Sequence, residues 1–152
     1  MKAIQLTDPD NPRSLELVDV ADPSPGDGEV LVKVAAAGVN RGDLMQAKGM
    51  YPPPKGESDI IGLECAGVRT DTGEEVGCLR AGGGYAEYVA VPQGQLLPIP
   101  TGYSFAEAAS VIEVACTVWS NIAMEAGLSQ GQTILIHGGA GGIGTFAIQV
   151  AK

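Results

Sequence analysis

The sequence predicts a mainly β region followed by the start of an α/β region. Over residues 1–100, short apolar stretches alternate with Gly- and Pro-rich turns at a spacing of roughly 8–12 residues, which is typical of a compact barrel or sandwich. After residue 104 these turns stop and an Ala-rich stretch begins. A glycine-rich loop then follows a short apolar stretch near residue 137, as at the start of many α/β domains.

The first region contains seven predicted strands, separated by turn residues such as Asn11-Pro12 and Ser24–Gly28. A short helix is expected over Asp43–Ala47, and the proline-rich stretch Tyr51–Gly56 is expected to be a stiff loop because proline restricts φ. The predicted strands are Lys2–Leu6, Leu15–Val20, Val30–Ala37, Ile60–Val68, Glu75–Leu79, Tyr85–Val91 and Leu96–Ile99.

The second region begins with a helix signal. Ser104, with a Glu three positions later, is a capping-box pattern, and it predicts one helix or two abutting helices over Phe105–Ala126. A strand is expected over Thr133–Ile136 and a helix over Thr145–Ala151. We therefore predict one domain over residues 1–125, including the linking helix, and a second domain from 126 to 152. Since the chain stops soon after the glycine-rich loop, this second domain is expected to be incomplete.

The composition argues against several functional classes. Lys and Arg total 9 against 18 Asp and Glu, and a net charge of -9 does not suit a non-specific binder of nucleic acid or of an anionic membrane. No apolar run is long enough to span a bilayer, and the first residues do not form a secretory signal. Cys65, Cys78 and Cys116 form no CxxC pair, so we expect buried thiols rather than a zinc or disulfide scaffold, and a cytoplasmic location.

The glycine-rich loop matches the pattern G-x-G-x-x-G at Gly139, Gly141 and Gly144. In this pattern one glycine allows a tight turn, one lets the backbone approach a pyrophosphate, and one lets the helix pack on the strand. The helix that follows offers free N–H groups and the positive end of its dipole. The sequence therefore predicts a pyrophosphate site, and the alternative is a glycine-rich turn without a ligand.

Four motifs together resemble the N-terminal part of the medium-chain dehydrogenase/reductase superfamily, over the whole chain. The resemblance is strongest to its zinc-independent quinone oxidoreductases, the p53-inducible and ζ-crystallin type. The motifs are Pro23–Val30 (P-x-P-G-x-G-E-V), Gly38–Asp43 (G-V-N-x-x-D), Gly82–Tyr88 (G-x-Y-A-E-Y) and His137–Gly144, the phosphate loop. The resemblance implies a GroES-like β-barrel followed by the first β-α unit of a Rossmann domain.

The same resemblance implies that no metal is bound. In zinc alcohol dehydrogenases the position of Asn40 is a Cys ligand and that of Leu63 is a His ligand, and neither residue present here is a good zinc ligand. The closely spaced cysteines of a structural zinc lobe are also absent from the sequence. Between Val68 and Glu75 the chain is shorter than in most relatives, which predicts a tight hairpin.

By resemblance, several residues would bind the cofactor or line the substrate cleft. Asn40 would lie near the nicotinamide with Asp43 supporting its loop, and Tyr51 would line the cleft. Thr117 would lie near the nicotinamide amide. The alternatives without a ligand are a helix-terminal charge for Asp43, a surface aromatic for Tyr51 and a hydroxyl bonded to its own helix backbone for Thr117. The predicted cofactor-binding residues are Asn40, Tyr51, Thr117, Gly139, Gly141, Gly142, Ile143 and Gly144, and the predicted substrate-cleft residues are Asn40, Asp43 and Tyr51.

No residue is assigned a catalytic role from the sequence. Trp119 is expected in the core, Glu64 as a buried hydrogen-bonded carboxylate, and His137 at the end of a strand. The resemblance implies hydride transfer from NADPH, or NADH, to a small quinone or enone, with no nucleic acid or membrane partner. Two alternatives stay open: a truncated, inactive GroES-like module, and half of a split enzyme completed by another chain. Homo-oligomerisation is also left open.

Overall fold

The computed structural model describes every residue except Pro9. The chain divides into two compact units, Met1–Ser110 and Val111–Lys152. This division falls after residue 110, whereas the sequence places the domain boundary after residue 125. Among the described residues, no helix is long and apolar enough to cross a membrane.

The first unit is built from two antiparallel sheets. The strands are β1 (Lys2–Leu6), β2 (Leu15–Asp19), β3 (Glu29–Ala37), β4 (Glu64–Arg69), β5 (Glu75–Leu79), β6 (Tyr88–Pro92) and β7 (Leu96–Pro98), with a 3₁₀ turn over Gln93–Gln95. One sheet pairs β1 with β2, and a five-stranded sheet has the order β6-β3-β4-β5-β7. The predicted mainly β character of this region is confirmed.

One face of the five-stranded sheet forms the main hydrophobic core. Buried and less buried residues alternate along β3 and β6, because successive side chains of a strand point to opposite faces, whereas β4 and β5 contain consecutive buried residues. Cys65 and Cys78 lie opposite one another on β4 and β5 and are buried in this core, whereas Cys116 is exposed, contrary to the expectation of three buried thiols. The core residues are Val30, Val32, Cys65, Val76, Cys78, Val89 and Val91.

Two predicted strands begin later than expected, because the first residues of one bond to a loop and those of the other bond mainly to β1. The strand predicted from Ile60 begins at Glu64, and the Ile60 carbonyl accepts a hydrogen bond from Gly83 N–H. Gly62 has φ +117, and a Cβ there would lie 2.6 Å from Tyr85 N, so this segment is a tight turn under another loop. The strand predicted from Tyr85 begins at Tyr88.

Two short helices complete the first unit. Helix α1 covers Arg41–Ala47 and helix α2 covers Phe105–Ala108. The predicted capping box is present at α2: Ser104 N–H donates to Glu107 Oε2 at 2.8 Å, and Glu107 N–H donates to Ser104 Oγ at 3.3 Å. Because these bonds satisfy N–H groups that a helix start leaves unpaired, the polar pair determines where α2 begins.

The second unit contains helix α3 (Ile112–Val118), a π-helical segment (Trp119–Glu125) and helix α4 (Gly142–Ala151). The helical stretch predicted over 105–126 is thus interrupted between α2 and α3 and changes to π geometry at Trp119. The side chain of Trp119 is exposed, which corrects its predicted place in the core. Helix α3 contacts α4.

The strand predicted over Thr133–Ile136 is not formed. No described strand pairs with this segment, and Leu135 is 80% exposed. An extended segment becomes a strand only when a neighbour satisfies its N–H and C=O groups, so apolar sequence alone does not produce one. The predicted helix is present and starts three residues early, at Gly142.

Candidate functional site

The first unit contains a buried carboxylate that joins three parts of the chain. Asp43 is 3% exposed. Its Oδ2 accepts hydrogen bonds from Asn40 N–H at 2.7 Å and from the Tyr85 hydroxyl at 2.9 Å, and its Oδ1 accepts from Leu63 N–H at 3.1 Å. Three donors are the kind of compensation that a buried charge requires. Asp43 therefore ties the start of α1 to the turn before β4 and to the loop before β6.

The position of Asp43 follows from the start of α1. Asn40 is the N-cap residue and Asp43 is the third helical residue, so the carboxylate reaches back to the N-cap N–H as in a capping box. A negative charge in the first turn also complements the helix dipole. The alternative of a helix-terminal charge thus describes part of the arrangement, and the bonds from Leu63 and Tyr85 add tertiary contacts to it.

Tyr85 completes this network from the opposite loop. Its hydroxyl lies 2.9 Å from Asp43 Oδ2 and 3.1 Å from the Gly38 carbonyl oxygen, and both of these atoms are acceptors. Burial, followed by the negative charge of Asp43, raises the pKa of the Tyr85 hydroxyl well above its usual range. The phenol therefore stays protonated and serves as a donor at neutral pH.

A second buried carboxylate, that of Glu64, orients Asn40. Asn40 Nδ2 donates to Glu64 Oε1 at 2.8 Å, and Glu64 is 2% exposed. Gly38 makes room for this contact, because a Cβ at Gly38 would overlap both Glu64 Oε1 and the Ala109 carbonyl oxygen. The glycine of the G-V-N motif is therefore required by the acid that follows Leu63.

An apolar wall adjoins the same helix. Leu63 is 9% exposed, and its Cδ1 would lie 2.5 Å from a Cβ placed on Gly42. Tyr51 Cε1 would lie 3.9 Å from the same Cβ, and the Tyr51 side chain is 55% exposed. The structure thus brings Asn40, Asp43 and Tyr51 to the first turn of α1.

The prediction of Glu64 as a buried, hydrogen-bonded carboxylate is confirmed, but its bond to Asn40 is not foreseen from the sequence. The contact of Tyr85 with Asp43 is not foreseen either, because the sequence shows Tyr85 only as part of a motif. The available signal is the presence of three short motifs with a polar residue in each, at residues 38–43, 62–64 and 82–88. Their mutual contact does not follow from spacing, since it depends on the turn at Gly62.

The glycine-rich loop of the second unit has the geometry of a helix-terminal anion site. Gly138 has φ +67, and Gly141 N–H donates to the Gly138 carbonyl oxygen at 3.0 Å, which closes a tight turn. The first bond of α4 runs from Thr145 N–H to the Gly141 carbonyl oxygen at 2.9 Å. The N–H groups of residues 142–144 thus have no intrahelical acceptor and are suited to an anion.

Gly144 allows this loop to pack closely. A Cβ at Gly144 would overlap the Gly138 carbonyl oxygen and would lie 2.5 Å from Gly139 Cα, so no other residue fits without displacing the turn. Gly142 is much less restricted, because its nearest neighbour to a Cβ is Val114 Cγ1 at 3.7 Å. The residues present therefore fit a bound pyrophosphate group.

Thr117 lies in the second unit, on α3. Its Oγ1 donates to Glu113 Oε1 at 2.9 Å, one helical turn earlier, rather than to its own backbone. His137 precedes the loop and is exposed. The Thr117–Glu113 bond and the exposure of His137 do not identify a ligand, so the role of Thr117 stays a prediction.

A cavity of about 490 Å³ lies elsewhere in the first unit, and none of the predicted site residues lines it. Arg80 lines this cavity, but its charge is paired with Glu57 at 2.7 Å. We therefore take the buried network, and not the cavity, as the candidate site. In the described part of the chain, no group of three or more His, Cys, Asp or Glu side chains could hold a metal ion.

Comparison with known proteins identifies the family. The alcohol dehydrogenase GroES-like domain matches residues 26–101, which is half of the chain. The chain therefore belongs to the alcohol dehydrogenase GroES-like family, and the predicted GroES-like fold is confirmed.

Individual relatives are oxidoreductases and polyketide synthases. A solved quinone oxidoreductase from Thermus thermophilus, studied with NADPH, is 39% identical with a TM-score of 0.83 and shares 99% of this chain and 50% of its own. The CurK enoyl reductase is 26% identical with a TM-score of 0.88 over 99% of this chain and 50% of its own. The phenolphthiocerol synthesis polyketide synthase Pks15/1 of Mycobacterium bovis is 42% identical over 132 residues, which are 82% of this chain and 6% of that protein. The chain thus spans about half the length of the solved relatives and under a tenth of the synthase.

Proposed function

We propose that the chain is the N-terminal part of a zinc-independent oxidoreductase that uses NADPH to reduce an electron-poor quinone or enone. The two alternatives from the sequence, an inactive module and half of a split enzyme, differ from this proposal in the turnover that they predict. A cytoplasmic location stays a prediction.

The observation that carries the proposal is the surroundings of Asn40 and Leu63. By resemblance these are the positions that hold zinc ligands in zinc alcohol dehydrogenases. Here the Asn40 amide is bonded to Glu64, and the Leu63 side chain packs against Gly42. An amide and an alkyl group do not make a zinc site, since zinc takes Cys, His or carboxylate ligands. The reaction proposed here therefore relies on the cofactor and on an acceptor that is already electron-poor.

The glycine-rich loop supports the nucleotide part of the proposal. Free N–H groups at residues 142–144 and the N-terminus of α4 would hold the pyrophosphate of NADPH. No side chain contributes charge to this loop, because it contains only Gly, Ala and Ile between His137 and Thr145. Recognition of the anion would thus rest on backbone donors.

When bound, NADPH supplies a hydride, and the acceptor takes up a proton from water to complete its reduction. The contribution of the chain is to bind and orient. Asn40, fixed by Glu64, would supply a polar contact of defined direction. Leu63 and Tyr51 would provide apolar surface that limits water near the reacting carbon.

A second candidate acceptor is an enoyl thioester. It is favoured by the likeness to an enoyl reductase and to a polyketide synthase reported above. Quinones and enoyl thioesters both accept hydride at a carbon conjugated to a carbonyl, so the same metal-free site would serve either.

The test is an assay of NADPH oxidation at 340 nm by the purified chain. The acceptors are 9,10-phenanthrenequinone and crotonyl-coenzyme A, each with EDTA or with added zinc. Turnover that EDTA does not reduce supports the proposal, and the preferred acceptor decides between the two candidates. Turnover that requires zinc contradicts it, and nucleotide binding without turnover of either acceptor supports the inactive module. Addition of the separately expressed C-terminal half of a relative tests completion by a second chain.

A further inference from the structure

The Asn40 amide has one end committed and one end available. Its Nδ2 donates to Glu64 Oε1 at 2.8 Å. Its Oδ1 lies at the Asp43 N–H in the capping box, and that N–H also donates to the Asn40 backbone carbonyl oxygen at 3.2 Å, so a lone pair of Oδ1 stays available. The Asn40 side chain is only half-buried. Because Glu64 Oε1 accepts from Nδ2, the NH₂ end of the amide faces Glu64 and the amide oxygen is left for another partner.

We infer that Glu64 is a positioning residue that makes Asn40 a hydrogen-bond acceptor toward the ligand. The site then favours a ligand group that carries an N–H or O–H donor and disfavours an acceptor of the same shape. This rests on the proposed function for the identity of the ligand, whereas the Asn40–Glu64 geometry itself does not.

The surroundings of Glu64 hold its carboxylate in place. The Gly38 N–H donates to the Glu64 backbone carbonyl oxygen at 3.2 Å, and the missing side chain of Gly38 provides the space that the carboxylate occupies. Asn40 is held separately, because its backbone N–H is bonded to Asp43. With both backbones fixed, rotation of the amide by 180° would bring two acceptor oxygens together, which is unfavourable.

The nicotinamide ring offers a matched pair of probes. NADPH carries a carboxamide, whose NH₂ group is a donor. Its 3-acetylpyridine analogue carries a methyl ketone of similar shape without that donor. An Asn40 acceptor at this point would favour NADPH by about tenfold, the value of one good hydrogen bond of roughly 1.4 kcal/mol.

The first experiment needs no ligand. In ¹⁵N-labelled chain, the Asn40 side-chain NH₂ resonance is assigned by its loss in Asn40→Ser, and its hydrogen exchange is measured. We expect slow exchange in the parent chain and in Glu64→Gln, whose oxygen still accepts, and at least about tenfold faster exchange in Glu64→Leu. Equal exchange rates in Glu64→Leu and the parent would overturn the positioning role.

The second experiment measures affinity for NADPH and for its acetylpyridine analogue by calorimetry. Glu64→Leu is expected to lose the preference. The double variant Asn40→Asp with Glu64→Gln exchanges donor and acceptor and should keep it, since an oxygen again faces the ligand. Loss of preference in this double variant contradicts the inference, even if Glu64→Leu does not fold. Failure of the parent to bind either nucleotide contradicts the proposed function, and the amide exchange still decides the role of Glu64.

Discussion

The first unit prepares its candidate site with buried side chains, whereas the second prepares its loop with backbone alone. In the first, Asp43 collects donors from three separate segments. In the second, the N–H groups of residues 142–144 lack intrahelical acceptors because α4 begins there, and Gly144 lets the loop pack closely against it. The comparison shows that a local backbone motif can be read from consecutive residues, while a tertiary network cannot.

The largest effect is expected when Asp43 is removed from the side-chain network. In Asp43→Ala, the donors on Asn40 and Leu63 lose their acceptor and Tyr85 keeps only the Gly38 carbonyl oxygen, and each stranded donor costs about 1–3 kcal/mol. We expect the free energy of unfolding, measured by urea denaturation, to fall by about 3 kcal/mol or more. The exposed Asp59→Ala is the matched control and should leave it unchanged; an equal loss in both variants would argue against the network.

A smaller loss is expected when Gly38 receives a side chain. The Cβ of Gly38→Ala would overlap Glu64 Oε1 and the Ala109 carbonyl oxygen, and overpacking of this kind costs about 1–3 kcal/mol. Thermal unfolding of Gly94→Ala provides the control, because a Cβ at Gly94 meets nothing within 4 Å. If both alanines shift the melting temperature equally, the close approach to Glu64 is not what requires glycine.

In the glycine-rich loop, Gly144→Ala tests whether the close packing of Gly144 stabilises the loop. The new Cβ would push on the Gly138 carbonyl oxygen and on Gly139 Cα, so the turn must open, at a cost of about 1–2 kcal/mol. Gly142→Ala is the control, because it makes the same substitution at a position where a Cβ meets only Val114 Cγ1 at 3.7 Å. Stability to urea should fall in the first variant and change little in the second; the reverse order would contradict the loop geometry.

The smallest effect concerns the hydroxyl of Tyr85. Tyr85→Phe removes a bond to a carboxylate and should cost about 1.5 kcal/mol at neutral pH. Because burial and Asp43 raise the pKa of this phenol, its folded form keeps the proton at a pH where the unfolded form has lost it. This contribution is present below the unfolded value of about 10 and is lost as the pH rises above it.

Urea denaturation between about pH 8 and pH 11, a range that brackets the unfolded phenol value, tests this sign. The parent chain should lose stability above about pH 10 more steeply than Tyr85→Phe does. The exposed Tyr103→Phe controls for the loss of one phenol. A parent curve that rises with pH over this range would show that the sign is wrong.

Much of the fold is predictable, because it depends on local pattern. The strands β1, β5 and the capping box at Ser104 follow from alternation and from one polar pair. The segments for which the prediction is wrong depend on neighbours. Ile60–Leu63 is apolar because it packs beneath a loop, and Thr133–Ile136 lacks a pairing strand among the described residues.

The candidate functional residues also divide into those that the sequence predicts and those that depend on the folded backbone. The glycine-rich loop follows from the spacing of Gly139, Gly141 and Gly144. Asn40 and Asp43 are found through resemblance, but the bonds that orient them are not. Those bonds come from Glu64 and Tyr85, which are 24 and 42 residues away from the side chains they contact, and only the folded backbone brings them together.

The most direct test of the account is an NMR titration of the ¹⁵N-labelled chain with inorganic pyrophosphate and then with NADPH. The account predicts that pyrophosphate and NADPH both shift the backbone amides of residues 139–145. Shifts that bypass the glycine-rich loop with both ligands would contradict it.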